Sequence, residues 1–263
     1  MKTKSPVRPI KQIIVDSGSP GYVNRILVAT PTRGTVRMEW VGARYGQIVP
    51  TNWSMVQMNQ FLSSYIPLRF NVPDAQNLIV REVINQDYEW LLLIEDDTIP
   101  PENLFIKMNQ YMRDGKVPVV SGLYYTKSVP SEPLVFRGRG TGAYMDFKHG
   151  DKVWADGVPT GCLLIHHSIL KEMYKESPEY VVNNQVVRRV FETPTDHYQD
   201  PEGNVSTKVG TSDLEWCTRV MKGKYFEKAG WPEYQKKKYP FLVDTTIFCR
   251  HITPDGISFP TEF

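Results

Sequence analysis

Trp90-Leu91-Leu92-Leu93-Ile94-Glu95-Asp96-Asp97-Thr98-Ile99-Pro100-Pro101 is the stretch from which the rest of the chain is best read. An aromatic residue followed by an unbroken aliphatic run, too short to cross a membrane, predicts a strand buried on both faces, as found in parallel sheets. The run ends in Glu95, Asp96 and Asp97, so the end of the strand must reach the surface. Ligands of open α/β sheets bind beyond the carboxyl ends of the strands, and adjacent carboxylates repel one another unless a cation neutralises them. The triplet therefore reads as a divalent-metal site. The competing reading is helix capping, because Pro100-Pro101-Glu102 opens a predicted helix to about Arg113 and Thr98 is a candidate cap for it.

Residues 25–30 predict a first strand, 31–34 a Gly-containing turn, and the following segment to about Tyr45 a helix. A strand, turn and helix in that order place backbone N–H groups where a phosphate can sit. A second helix is expected from about Asp74 to Asn85, with Leu78, Val80, Val83 and Ile84 as its apolar positions, and another strand over 117–122. Alternating strands and helices predict a largely parallel sheet. From 123 to 156 the chain is rich in Gly, aromatic and turn residues, with strand-like pieces at 134–137 and 152–154. Tyr124, Tyr125 and Trp154 are either stacking platforms for a sugar or strand residues facing the core. A loop at 157–161 leads into a buried strand at 162–165, and His166 and His167 fall on opposite faces, so they do not share a metal.

The segment Thr211-Ser212-Asp213-Leu214-Glu215-Trp216-Cys217 opens a helix that ends at Gly223. Ser212 and Glu215 have the spacing of a capping box, which leaves Asp213 in the first turn, not needed for capping and kept ionised by the helix dipole. A carboxylate of that kind is a candidate general base. Residues 223–240, with Trp231, Tyr234 and the Lys236-Lys237-Lys238 run, are long enough to suggest a lid over a bound ligand. A strand at 241–244 follows, and His251 stands alone near the C-terminus, a pattern more often structural than metal-ligating.

Composition narrows the function classes. The 263 residues carry a net charge of +2, which argues against a dedicated nucleic-acid binder although Lys2, Lys4, Arg8 and Lys11 make one end basic. Cys162, Cys217 and Cys249 are isolated and flanked by apolar residues, so buried reduced thiols and a cytoplasmic location are expected. No apolar h-region follows the basic N-terminus and no apolar run is long enough to span a bilayer.

Taken in order, V-A-T-P-T-R-G at 28–34, a helix bearing Asn77, W-L-L-L-I-E-D-D-T-I-P-P at 90–101, T-G-C-L-L-I at 160–165, S-D-L-E-W-C at 212–217 and the late His251 resemble the GT-A-type glycosyltransferases, in particular the inverting family 2 enzymes, over about residues 25–255. The resemblance implies an α/β, GT-A (Rossmann-like) fold whose mostly parallel central sheet is flanked by helices. It implies one domain over 1–263, with a nucleotide-binding half at about 25–122, an acceptor-binding half at about 123–255 and an N-terminal extension at 1–24.

Carried over by position, Glu95-Asp96-Asp97 becomes the Asp-x-Asp motif. Asp97, His251 and Glu95 then form the metal set, and Glu95 or Asp96 faces the ribose or a metal-bound water. Thr30, Pro31, Thr32, Arg33 and Asn77 line the nucleotide pocket, and Asp213 is the base. Glu95 stands where Asp is usual, Ser212 where a first acid is usual and Gln76 where Arg is usual. The implied cofactor is Mn²⁺ or Mg²⁺, the donor a nucleotide sugar, and the acceptor a hydroxyl of a glycan or other molecule. A divalent cation stabilises charge on the departing diphosphate, while Asp213 deprotonates the acceptor for a single inversion. The rivals are a nucleotidyltransferase acting on a sugar phosphate and a non-catalytic carbohydrate-binding protein.

Overall fold

The computed structural model describes residues 26–32, 34–50, 70–138, 142–199 and 205–261; Arg33, the 1–24 extension and its basic residues lie outside them. In chain order the elements are β1 (Ile26–Ala29), α1 (Met38–Tyr45), α2 (Val72–Asn85), β2 (Trp90–Ile94), β3 (Thr98–Ile99), α3 (Leu104–Asp114), β4 (Val119–Leu123), β5 (Lys152–Ala155), β6 (Cys162–His166) and α4 (His167–Glu176). They continue as β7 (Glu179–Val182), β8 (Gln185–Arg188), β9 (Thr195–Gln199), β10 (Val205–Val209), α5 (Ser212–Lys222), α6 (Tyr225–Lys228), α7 (Pro232–Gln235), β11 (Phe241–Phe248), β12 (Arg250–Ile252) and β13 (Ser258–Phe259).

The apolar run at 90–94 forms β2 as expected, with no residue more than 2% exposed. It lies inside a six-stranded sheet of order β1-β2-β6-β4-β11-β5. β1 pairs with β2, and β4 with β11, in parallel; β6 runs antiparallel to both β2 and β4, and β5 antiparallel to β11. Four of the six strands thus share one direction, and the sheet is mixed because β6 reverses at its centre.

Strand alternation sends successive side chains to opposite faces, and two cores result. Leu27, Leu91, Leu93, Leu163, Ile165 and Val243 meet α2, α4 and α5 on one face through Ile79, Val83, Ile169, Met173, Trp216 and Val220. Ile26, Val28, Leu92, Leu164 and Leu242 meet α3 on the other through Leu104, Phe105, Met108 and Met112. Burying each such side chain contributes on the order of 1.5–3 kcal/mol, which makes this double-sided packing the main support of the sheet.

Local chemistry explains the helix ends that position the site. Asn71 caps α2 by accepting the Asp74 N–H at 3.0 Å, and Pro73 sits in the first turn where a missing N–H is harmless. The N-cap of α3 is Asn103 and its first turn holds no acid, so Glu95, Asp96 and Asp97 do not serve as helix caps. Thr98 is in β3 and fully buried. Between β2 and α3 the chain instead pairs with β12, with His251 opposite Thr98 and Arg250 opposite Ile99, while the Ile252 N–H donates to the Asp97 carbonyl at 2.8 Å.

Several expectations are corrected. The piece at 134–137 is no strand; Phe136 makes only isolated bridges to Ala143 and Gly157. Two antiparallel hairpins, β7–β8 and β9–β10, were not foreseen. The segment 223–240 is not a lid. It folds into α6 and α7, with Phe226 and Tyr234 in the core, the Trp231 indole donating to Ser168 at 3.1 Å and the Tyr234 hydroxyl to the Lys116 carbonyl at 2.6 Å. Lys237 lies over the rings of Trp154 and Tyr234, so this lysine is held against aromatic surface and not over a ligand site.

Candidate active site

The carboxyl ends of β1 and β2 open into a cleft of about 450 Å³ whose lining includes Pro31, Thr32, Thr35, Arg37, Asp96, Asp97, Lys127 and Thr253. The loop carrying the acids is fixed from several directions. The Glu95 carbonyl accepts the Trp40 indole N–H at 2.7 Å and the Thr98 N–H at 3.1 Å, and the Glu95 N–H donates to Gly161 at 3.0 Å. Small size is required at Gly161, since a Cβ there would lie 2.3 Å from the Tyr124 hydroxyl and 2.7 Å from Thr98 Oγ1.

Asp97 is the centre of charge. His251 Nδ1 donates to the Tyr125 carbonyl at 2.9 Å, which fixes the ring and turns Nε2 toward Asp97 Oδ2 at 3.4 Å. Lys127 donates to the same Oδ2. Burial alone would raise the Asp97 carboxyl, but the His251 and Lys127 contacts outweigh it and hold it down at about 2. The other oxygen, Oδ1, is buried without a hydrogen-bond partner. A carboxylate with one oxygen unpartnered and the other facing an imidazole nitrogen has the chemistry of a divalent-cation ligand, and oxygen and nitrogen are both competent donors for Mn²⁺. Among the described residues no three His, Cys, Asp or Glu side chains are gathered into a ready metal-holding group. Asp97 and His251 are two side chains of the right chemistry, and a cation held there would need substrate phosphates and water to complete its coordination.

Glu95, expected as a third ligand, points elsewhere. Its Oε1 accepts the Thr160 hydroxyl at 2.8 Å, and Thr160 in turn accepts from Gln76 Nε2 at 3.1 Å. Burial first, then the charges of Asp97, Asp213 and Asp96, push the Glu95 carboxyl up to about 8 against the opposing Thr160 hydrogen bond. A carboxyl raised in this way and turned toward Thr160 is a weaker metal ligand than Asp97. Gln76 is fully buried and its Oε1 has no partner.

Asp213 enters the same electrostatic cluster from the start of α5, since its charge also raises Glu95 and Tyr124. The expected capping box does not form. Thr211 is the N-cap and makes no side-chain cap, while Asp213 Oδ1 accepts the Leu214 N–H at 2.8 Å. Pro31 and Thr32 line the cleft; Thr30 is buried beside them at the end of β1 and is not part of the lining. Asn77, expected at the nucleotide, is fully buried. Its amide donates to Tyr180 Oη and to the Phe191 carbonyl, and its Oδ1 accepts the Phe191 N–H, each at 2.8 Å.

The aromatic platforms separate as well. Tyr124 is 2% exposed and its hydroxyl accepts the Gly161 N–H at 2.6 Å, so it is a support for the loop. Trp154 packs against Tyr234. Tyr125 lines a cavity of about 360 Å³ shared with Leu123, Phe147, His149 and Phe248. His166 is wedged between Trp90 and Trp231, and burial, then His167, lowers it to about 4, so it is a neutral packing residue. All three cysteines are free and buried. No helix among the described residues is long and apolar enough to cross a membrane.

Sequence reasoning missed Lys127, and it gave no such role to Gln76, noted only as standing where Arg is usual, or to Thr160, which opens T-G-C-L-L-I; each acquires its role from a residue at least 30 positions away.

No family model and no curated protein matches the sequence. Among solved structures, A197 from STIV superposes with a TM-score of 0.52 at 14% identity, covering 89% of this chain and 88% of that one. A putative glucose-1-phosphate thymidylyltransferase from Bacillus anthracis in complex with a sucrose matches with a TM-score of 0.32 at 12% identity, over 58% of this chain and 75% of that one. The likeness to A197 spans most of both chains and is one of fold.

Proposed function

We propose that this chain is a GT-A-type glycosyltransferase that moves a sugar from a nucleotide-sugar donor to an acceptor hydroxyl with inversion. The observation that carries this reading is the pair Asp96 and Asp97 in a cleft at the carboxyl edge of the sheet, with His251 Nε2 3.4 Å from Asp97 Oδ2 and the charge of Asp213 acting on neighbouring Glu95. That edge is where open α/β sheets bind nucleotides. Pro31 and Thr32 form one wall for the nucleoside, and Asp96 accepts hydrogen bonds from the ribose. Asp97 and His251 would hold a divalent cation, whose charge would stabilise the leaving diphosphate.

Asp213 takes the proton of the acceptor hydroxyl as the anomeric carbon loses its leaving group. Its place in the first turn of α5 favours the ionised form needed of a base. The raised Glu95 carboxyl, buried against Thr160, favours the neutral form and so lessens the negative charge facing the diphosphate. Burial of Tyr124 removes one of the three platforms on which a non-catalytic carbohydrate-binding reading depends.

The test is a calorimetric screen of nucleotide sugars with and without Mn²⁺, followed by product analysis with candidate acceptors. Release of nucleoside diphosphate together with a glycosylated acceptor is the expected result. Pyrophosphate release from a nucleoside triphosphate and a sugar phosphate would establish the nucleotidyltransferase instead, and glycan binding without any nucleotide affinity would overturn both.

A further inference from the structure

We propose that Lys127 is a diphosphate-binding residue that guards Asp97 when the cleft is empty and transfers its ammonium group from that carboxylate to the donor's diphosphate when the donor binds. The inference rests on the nucleotide-sugar reading of the cleft.

Three observations carry it. Lys127 and Asp97 line the same cleft and are directly ion-paired, and their side chains are 29% and 35% exposed. A pair this open to solvent is readily exchanged, and a diphosphate offers the ammonium several charged oxygens in place of one. Second, Lys127 is held on a closed turn. The Thr126 N–H donates to the Glu132 carbonyl at 2.8 Å, the Glu132 N–H returns to Thr126 Oγ1 at 3.0 Å, and the Thr126 and Ser128 hydroxyls lie 2.6 Å apart. The turn beside Lys127 is thereby fixed, and its long side chain reaches the cleft from there.

Third, among the described residues that line the cleft the other cation, Arg37, is already committed. The Arg37 guanidinium donates to both carboxylate oxygens of Glu39 and to the Pro254 carbonyl at 2.7–3.0 Å. A diphosphate entering beside Asp96 and Asp97 needs a positive group that can turn toward it, and Lys127 has Asp97 as its hydrogen-bond partner among the described residues. Until that turn occurs, the ammonium repels any divalent cation approaching the Asp97 carboxylate. Donor and metal binding are then positively coupled through one side chain.

Opposite effects of one substitution test this. Lys127→Met should weaken nucleoside diphosphate and pyrophosphate binding about tenfold or more in calorimetry while leaving nucleoside affinity unchanged, and should tighten Mn²⁺ binding to the ligand-free protein. Lys127→Arg should retain diphosphate affinity, and melting temperature verifies that both variants fold. Unchanged diphosphate and Mn²⁺ affinities in Lys127→Met would overturn the role of Lys127 while leaving the nucleotide reading intact. If the wild-type chain binds no nucleoside diphosphate with or without Mn²⁺, both fall.

Discussion

Residues a few positions apart in this chain are driven to opposite protonation behaviour by their surroundings. Glu95 and Asp97 share one loop, yet Asp97 gains His251 and Lys127 while Glu95 is buried against a hydroxyl and faces other carboxylates. Carboxyl groups separated in this way divide acid and base roles between them. The shift of Glu95 has a consequence for stability. Its folded value of about 8 lies above the ordinary 4.5, so the folded chain retains a proton that the unfolded chain releases. The contribution of Glu95 is fully present below 4.5 and is lost as pH rises through about 8. Glu95→Gln mimics the protonated form. We expect it to melt like the wild type in mild acid and at a higher temperature than the wild type above pH 8, where the wild-type carboxyl ionises. Parallel melting profiles across that range would show that Glu95 titrates normally.

At the level of the element, the start of α5 links helix geometry to the proposed chemistry. Thr211 occupies the N-cap, so Asp213 is the second helical residue, and its Oδ1 is satisfied by the neighbouring Leu214 N–H. Asp213→Asn preserves shape and keeps an oxygen acceptor there, and the lost charge–dipole interaction should cost about 0.3–1 kcal/mol. Transfer at saturating donor should nonetheless fall about 100-fold or more, the scale of a lost general base, with donor and Mn²⁺ affinity retained. Near-normal turnover in this variant would move the base elsewhere. Because no capping box forms, Glu215 has no special part in holding the helix start.

Across the whole molecule, Asn77 ties the helical layer to the chain that leads toward α5. It joins α2 to Phe191 and Tyr180 through three hydrogen bonds, two of them to partners 114 residues away. Phe191 in turn stacks on Trp216 of α5 with ring centroids 5.7 Å apart. Asn77→Ala leaves the Phe191 N–H and carbonyl without these partners in a buried setting, at roughly 1–3 kcal/mol for each orphaned group. Denaturant unfolding should record that loss, while nucleotide affinity measured well below the melting temperature stays at the wild-type level. Lost nucleotide affinity with unchanged stability would instead return Asn77 to the nucleotide pocket.

Local pattern was enough to place β2 and its neighbours on the chain. An uninterrupted apolar run has few ways to bury itself other than as a two-faced strand, and its abrupt end in Glu95, Asp96 and Asp97 marks the functional edge of the sheet. The helices at Val72–Asn85 and Leu104–Asp114 were legible for the same reason, through apolar spacing and turn residues. A hairpin signal was also present and went unread: Val181-Val182-Asn183-Asn184-Gln185-Val186-Val187 places Asn183 and Asn184 at φ 45° and 62°, the left-handed turn that Asn tolerates.

Other features belong to the tertiary structure alone. The insertion of β6 between β2 and β4 in reversed direction is a choice among distant strands. The meeting of His251 with Asp97 depends on the register of β12 against β3, and Lys127 and Thr160 reach the acids only across that assembled edge. Backbone propensity and apolar periodicity act over one or two turns of chain, so the sequence by itself determined which segments are strands and helices and where charge emerges. Which of those charges meet, which are neutralised and which are buried was decided by packing between segments far apart in the chain, where long-range contacts outweigh local preference.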